Sequence, residues 1–199
     1  MTDLERIFGP VATSARCTAE MRETVEEVLQ LAVEIAREGR EGRKIGTLFV
    51  IGDVEAVLGR SRPLMLDPLY GHPDDLLNVR RSEFRETVKE LAQLDGAFVV
   101  NREGTFMSAA RYIDVEPGTA LLAGLGTRHA AAASITASTR AVALVVSQSS
   151  VVRVYARGEI RAEIVPELFL LSRDGLFARD ADVRQVPEAG ITLAVADGS

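Results

Sequence analysis

Apolar residues at steps of three and four predict two helices in the first half of the chain. In the first, the apolar positions are Met21, Val25, Val28, Leu29, Ala32, Ile35 and Ala36. This spacing puts them on one face of an α-helix, and Gly39 is placed to end it. The second helix begins near Ser82, the expected N-cap residue, and carries Phe84 and Val88 on its inner face. Each helix therefore has an apolar face that must pack against another element.

Short apolar runs bounded by polar or glycine-containing segments predict the strands. These runs cover residues 47–51, 97–100, 105–113, 141–146, 151–155, 159–164 and 191–195. A helical turn is expected at 53–58 and a helix of weak intrinsic propensity at 127–138. Residues 59–78 lose all periodicity and are interpreted as a long connection. Helices that alternate with short strands predict an α/β fold, with one domain built on a central mixed β-sheet and flanked by helices.

The length of 199 residues suits a single domain with appendages. We divide the chain into an N-terminal helical extension (1–44), a core domain (45–164) and a C-terminal extension without an assigned role (165–199). Tryptophan is absent and aromatic residues make up 5% of the chain, so Val, Ala, Leu and Ile are expected to fill the core.

Charge and composition exclude several classes of protein. A net charge of −6 disfavours a protein that coats nucleic acid, although one small phosphorylated ligand needs only a few local donors. No apolar run reaches the roughly 20 residues of a membrane span, so no membrane partner is expected. The first residues, MTDLERIFGP, lack the apolar stretch of a signal peptide, which predicts a cytoplasmic location. With Cys17 as the single cysteine, an intramolecular disulfide and a cysteine-based metal cluster are both excluded.

The segment Leu94–Ala97 interrupts the passage from the second helix into a buried strand. Two interpretations stay open for its acid and its glycine. In the structural one, Gly96 supplies an unusual backbone angle for a turn, and Asp95 accepts hydrogen bonds from backbone amides. In the functional one, Asp95 presents a carboxylate to a metal ion.

The segment Gly126–His129 opens the helix predicted at 127–138. Thr127 is a good helix cap, and with Arg128 and His129 in solvent the segment would be structural. Alternatively, free backbone N–H groups, a hydroxyl, a guanidinium and an imidazole converge where the helix dipole favours an anion. A carboxylate for a metal together with a cradle for phosphates is what phosphoryl-transfer chemistry requires.

These residues also resemble a known family. Residues 94–115, LDGAFVVNREGTFMSAARYIDV, and 124–147, GLGTRHAAAASITASTRAVALVVS, are similar to the diadenylate cyclase domain. That family combines an Asp-Gly-Ala motif with a Gly-Thr-Arg-His-Arg motif about thirty residues later. The resemblance extends from about Gly46 to about Ile164 and is closest to the stand-alone archaeal-type branch.

The resemblance implies a diadenylate cyclase, a nucleotidyltransferase that condenses two ATP molecules into the second messenger cyclic di-AMP. It implies a divalent metal (Mn²⁺ or Mg²⁺) on Asp95, which is expected near the attacking 3′-hydroxyl. Arg128 and His129 are expected to act with it in catalysis. The residues implied to bind ATP are Gly96, Ala97, Tyr112, Ile113, Gly126, Thr127, Arg128, His129 and Ser147. The implied partners are ATP, the cyclic product and a second copy of the chain in a homodimer or higher homo-oligomer.

Two departures from the family pattern favour an alternative. Ala130 stands where the motif has its second arginine, so one expected cation is missing, which Arg111 or Arg140 could replace. Ser147-Gln148-Ser149 stands where many bacterial members have Ser-Glu-Glu. The alternative function is therefore a catalytically weak or inactive nucleotide-binding or regulatory domain.

Overall fold

The computed structural model describes residues 3–40, 42–116, 125–166, 181–189 and 191–196. Its α-helices are α1 (Asp3–Ser14), α2 (Ala19–Glu38), α3 (Val54–Leu58), α4 (Ser82–Leu91) and α5 (Thr127–Ser138), with short 3₁₀ turns at Asp74–Leu76 and Pro187–Ala189. The strands are β1 (Thr47–Ile51), β2 (Ser61–Pro63), β3 (Ala97–Val100), β4 (Phe106–Ile113), β5 (Val142–Val146), β6 (Val152–Ala156), β7 (Glu159–Pro166), β8 (Ala181–Val186) and β9 (Ile191–Ala196).

All nine strands belong to one mixed sheet, in the order β2-β4-β3-β1-β5-β6-β7-β9-β8. Strands β1 and β3 pair in parallel, and the other neighbours pair antiparallel. The parallel pair is possible because α3, β2 and α4 carry the chain from β1 back to the start of β3. The prediction of a mixed central sheet flanked by helices is confirmed.

The sheet separates two apolar cores, and β1 contributes to both. Phe49 and Ile51 face the core that α1, α2 and α4 cover, whereas Leu48 and Val50 face the core under α3 and α5. Alternate residues of a strand point to opposite faces, so a strand buried on both sides is apolar throughout. This explains why residues 48–51 form an unbroken apolar run.

Three local predictions are wrong. The helix predicted at Ser82 has Arg81 as its N-cap, and no side chain caps its first turn, so Ser82 is already a helical residue. The connection 59–78 contains the edge strand β2, which pairs with β4 and ends at Pro63. Strand β8 was not predicted. Part of the C-terminal extension, residues 167–180, 190 and 197–199, lies outside the described residues.

In the ranges listed above, every helix is too short or too polar to cross a membrane.

Candidate active site

Asp95 and Gly96 occupy the turn between α4 and β3, and the backbone there admits only glycine. Gly96 has a φ of +105°, and a Cβ atom at this position would lie 2.7 Å from backbone atoms of Ala110 and Arg111. Ala110 itself has a φ of +52°, next to a register shift between β3 and β4. The structural interpretation of Gly96 therefore holds: it lets two backbone segments touch at the start of β3.

The carboxylate of Asp95 behaves differently from a turn-capping acid. Its side chain is 85% exposed, and Oδ1 accepts a hydrogen bond from Nη2 of Arg128 at 3.2 Å. An exposed ion pair of this kind contributes little to stability. The carboxylate is therefore accessible to a ligand, and the pair joins the two predicted motifs in space.

Arg128 lies on the first turn of α5, where backbone amides lack partners. Gly126 is the N-cap residue, and the N–H of His129 donates to the Gly126 carbonyl at 3.0 Å. The preceding helical amides have no intrahelical acceptor, and the helix dipole favours an anion there. Nη1 of Arg128 lies 3.1 Å from the place a Cβ would occupy on Gly46, so this glycine leaves room for the guanidinium.

A cavity of about 530 Å³, which we call the apolar cavity, opens on one side of Arg128. Leu48, Leu64, Ile113 and Val115 give it apolar walls beside the ring of Tyr112. The Arg62 guanidinium lies 4.3 Å from the centre of that ring. Cavities of this volume and polarity accept small organic ligands.

A second cavity of about 310 Å³, which we call the polar cavity, opens on the other side. Its polar walls come from Ser147, Gln148 and Ser149 after β5 and from Arg153 on β6, together with the start of α5. Thr127 and Arg128 line both cavities, so the two are adjacent. None of the described residues that line the polar cavity is Asp or Glu, which makes it a site for an anion.

His129 is buried at the edge of the polar cavity, with 7% of its surface exposed. Its Nδ1 lies 3.0 Å from the hydroxyl of Tyr155. Burial, followed by the positive charges of Arg153 and Arg128, lowers the pKa of His129 to about 4. At neutral pH the imidazole is therefore uncharged, and it can offer a ligand a hydrogen bond but not a positive charge.

All ten predicted site residues lie on the walls of these two cavities. Asp95, Gly96, Ala97, Tyr112 and Ile113 line the apolar cavity, Gly126, His129 and Ser147 line the polar cavity, and Thr127 and Arg128 line both. Of the two cations considered as replacements at position 130, Arg111 lines the apolar cavity, while Arg140 is exposed beside Asp53.

Sequence reasoning missed Gly46 and Arg153. Gly46 belongs to no recognisable sequence motif, because its importance comes from the close approach of the distant Arg128. Arg153 alternates with Val152 and Val154 in β6, a pattern that usually marks a solvent-exposed face. The structure instead buries it, against Glu163 of the neighbouring strand.

The residues present fit a divalent metal only as a site completed by substrate. Among the described residues, no group of three or more His, Cys, Asp or Glu side chains could enclose a cation. Magnesium commonly binds through one or two carboxylates, with phosphate oxygens and water as its other ligands. Asp95 provides one such carboxylate in the apolar cavity, paired with Arg128, which lines both cavities.

Comparisons with known proteins agree on one family. The family model described as "DisA bacterial checkpoint controller nucleotide-binding" matches residues 34–160. A diadenylate cyclase of Methanocaldococcus jannaschii is 42% identical over 156 residues, which cover 78% of this chain and 50% of that protein. A diadenylate cyclase of Haloferax volcanii is 36% identical over 151 residues, which cover 73% and 54%. The chain thus spans about half the length of these relatives.

Among solved structures, a protein from Bacillus cereus described as a hypothetical membrane spanning protein has a similar fold. It aligns with a TM-score of 0.52 and 20% identity, over 69% of this chain and 62% of its own.

Proposed function

We propose that this chain, which belongs to the diadenylate cyclase family, condenses two ATP molecules into cyclic di-AMP and two pyrophosphates. The observation that carries the proposal is the pair of adjacent cavities, one apolar and one lined by cations, which share Arg128, the partner of Asp95. We assign the catalytic domain to residues 45–164.

In this proposal, one ATP molecule occupies both cavities of one chain. Adenine lies in the apolar cavity against Tyr112 and Ile113, because an aromatic face and apolar walls suit a planar base. The phosphates run past Thr127 and Arg128 into the polar cavity. There the first amides of α5 and the hydroxyl of Ser147 donate hydrogen bonds to them.

Asp95 then stands where the α-phosphate and the ribose meet. A divalent metal held by this carboxylate and by phosphate oxygens would neutralise charge as the phosphorus is attacked. Arg128, which pairs with Asp95 in the structure, keeps the carboxylate beside the phosphate path and supplies positive charge to the phosphates. His129 is uncharged at neutral pH and orients the start of α5 through Tyr155.

One chain has one such pair of cavities among its described residues, whereas the product contains two identical halves. A two-fold dimer would bring two sites face to face and match that symmetry. Each 3′-oxygen then bonds to the α-phosphorus of the facing ATP, the bond from that phosphorus to the pyrophosphate oxygen breaks, and pyrophosphate leaves. The hydroxyl protons pass to solvent or a nearby base. After two such attacks the ring is closed.

The proposal is tested by incubating the pure protein with ATP and Mn²⁺ or Mg²⁺ and separating the nucleotides by chromatography. We expect cyclic di-AMP from the wild type and none from Asp95→Asn, which should keep its fold and most of its affinity for ATP. Asp75→Asn is the matched control, since Asp75 is exposed on a 3₁₀ turn and lines neither cavity. An Asp95→Asn variant with near wild-type turnover would remove Asp95 from the mechanism.

A second candidate is a nucleotide-binding domain without turnover. It is favoured by Asp95, the single carboxylate among the described residues that line the two cavities, and by Ala130, which leaves the apolar cavity one cation short of the family motif. This candidate predicts that the wild type binds ATP and releases no cyclic product with either metal.

A further inference from the structure

Arg153 is a buried cation that belongs to neither of the family motifs. It lies on β6 with 8% of its surface exposed. Its Nε donates a hydrogen bond to Glu163, the residue directly opposite on β7, which is 3% exposed. A buried charge is costly unless a partner compensates it. Glu163 therefore holds a guanidinium at a place where the core would otherwise exclude one.

The rest of the guanidinium remains available for a ligand. Arg153 lines the polar cavity together with Arg128 and Ser147. Among the described residues, Glu163 is the one hydrogen-bond acceptor found for it, through Nε. The two terminal nitrogens carry four further N–H donors. Arg153 lines the polar cavity and Glu163 does not, so the donors that have no partner among the described residues can bind a ligand there.

The surroundings of Arg153 select an anion. The described residues that line the polar cavity include two arginines, three hydroxyl or amide side chains from 147–149, and no carboxylate. Burial keeps the neighbouring His129 uncharged, so positive charge in this cavity comes from Arg128 and Arg153. Arg128 is already paired with Asp95.

Building on the proposed function, we propose that Arg153 binds the β- and γ-phosphates of ATP and the pyrophosphate that they become. The family's second motif arginine is replaced here by Ala130, which lines the apolar cavity on the opposite side of Arg128. Arg153 therefore supplies a cation from β6 and not from α5, and it lines the polar cavity and not the apolar one. It faces the leaving group and not the base, and it gives the site a preference for triphosphates over monophosphates.

The experiment compares binding of ATP and AMP by calorimetry, without divalent metal so that no turnover occurs. Removing Arg153 alone would take away the cation that compensates the buried charge of Glu163, so the test variant is Arg153→Met/Glu163→Met. Charge-assisted hydrogen bonds to phosphate are strong. We expect the Kd of ATP to rise about tenfold or more, a change of about 1.4 kcal/mol or more, while the Kd of AMP changes by less than about twofold.

The matched control is Arg161→Met/Glu159→Met, which removes another arginine–glutamate pair on β7. Neither residue lines either cavity, so both Kd values should match the wild type. If the methionine variant does not fold by circular dichroism, Arg153→Gln/Glu163→Gln keeps a hydrogen-bonded pair without charge and carries the same expectation. An ATP affinity within about twofold of wild type, or equal weakening of ATP and AMP, would overturn the inference.

Failure of this inference and failure of the proposed function are distinguishable. If ATP affinity depends on Arg153 but no cyclic di-AMP forms with metal, the cyclase assignment fails and the role of Arg153 stands. If cyclic di-AMP forms and ATP affinity does not depend on Arg153, only the inference fails. A wild-type protein that binds no ATP overturns both.

Discussion

Acidification should destabilise the protein through His129, because this imidazole is buried and uncharged. Burial lowers its pKa in the fold to about 4, against the ordinary histidine value of 6.5. Below pH 6.5 the unfolded chain binds a proton at His129 and the folded chain does not. The contribution of His129 to the stability of the fold is therefore complete above pH 6.5. It is lost as the pH falls toward 4.

The magnitude follows from the two pKa values. At pH 7.5 almost no unfolded molecule carries the proton, whereas at pH 5 most do and the folded protein still does not. The free energy of unfolding should therefore fall by about 2 kcal/mol over this interval because of His129 alone. Burial raises the pKa of Glu26 and Glu27, so their contribution to the free energy of unfolding increases as the pH falls, opposite to that of His129. The effect of His129 must therefore be measured as a difference between variants.

The assay is urea unfolding at a series of pH values for the wild type and for His129→Gln, which keeps an amide near Tyr155. The contributions of Glu26 and Glu27 are the same in both proteins and cancel when the two free energies of unfolding are compared. We expect the wild type to lose about 2 kcal/mol relative to the variant between pH 7.5 and pH 5. His72→Gln is the control, because it removes the other histidine, an exposed one, and should run parallel to the wild type. Parallel curves for all three proteins would refute the account of a buried, neutral His129.

Two substitutions test the geometry of the site. Gly96→Ala places a Cβ 2.7 Å from backbone atoms at a φ of +105°, so thermal or urea unfolding should show a loss of about 2 kcal/mol or more in the free energy of unfolding. Gly126→Ala, whose Cβ would meet no described residue within 4 Å, should lose less than about 1 kcal/mol. Equal losses would contradict the close approach at Gly96. Arg128→Ala removes hydrogen bonds to phosphate and should weaken ATP binding about tenfold or more in calorimetry. The control is Arg140→Ala, which changes an exposed arginine outside both cavities and should bind ATP as the wild type does. Unchanged binding in Arg128→Ala would place the phosphates elsewhere.

The elements that sequence predicted well are those with a complete periodic pattern. Helix α2 repeats its apolar step over five turns. Strands β1, β3 and β5 are apolar except for Thr47, because both of their faces are covered. Strand β2 has three residues and ends in Pro63, which a sheet tolerates at its edge, so no pattern could develop. The short alternating run of β8 was equally hard to distinguish from a loop.

The site was predictable where a residue type is required for a local reason. Gly96 and the start of α5 belong to this group, since a left-handed turn and a helix N-terminus leave a mark in the sequence. Arg153 does not, because its environment depends on the pairing register that sets Glu163 opposite it, ten residues later in the chain. The charge of His129 likewise depends on burial against Tyr155, which no local pattern encodes.

The claim that two facing chains share the reaction is tested most directly by mixing wild-type chains with a fourfold excess of Asp95→Asn chains. The chains must be allowed to exchange, and mixed dimers must be verified by mass spectrometry. A mixed dimer has one intact carboxylate and can make at most the linear dinucleotide that still carries a triphosphate. Because only wild-type pairs close the ring, cyclic di-AMP per wild-type chain should fall to about one fifth, with the linear intermediate accumulating. If cyclic di-AMP per wild-type chain is unaltered among verified mixed dimers, each chain works alone and the shared site is wrong.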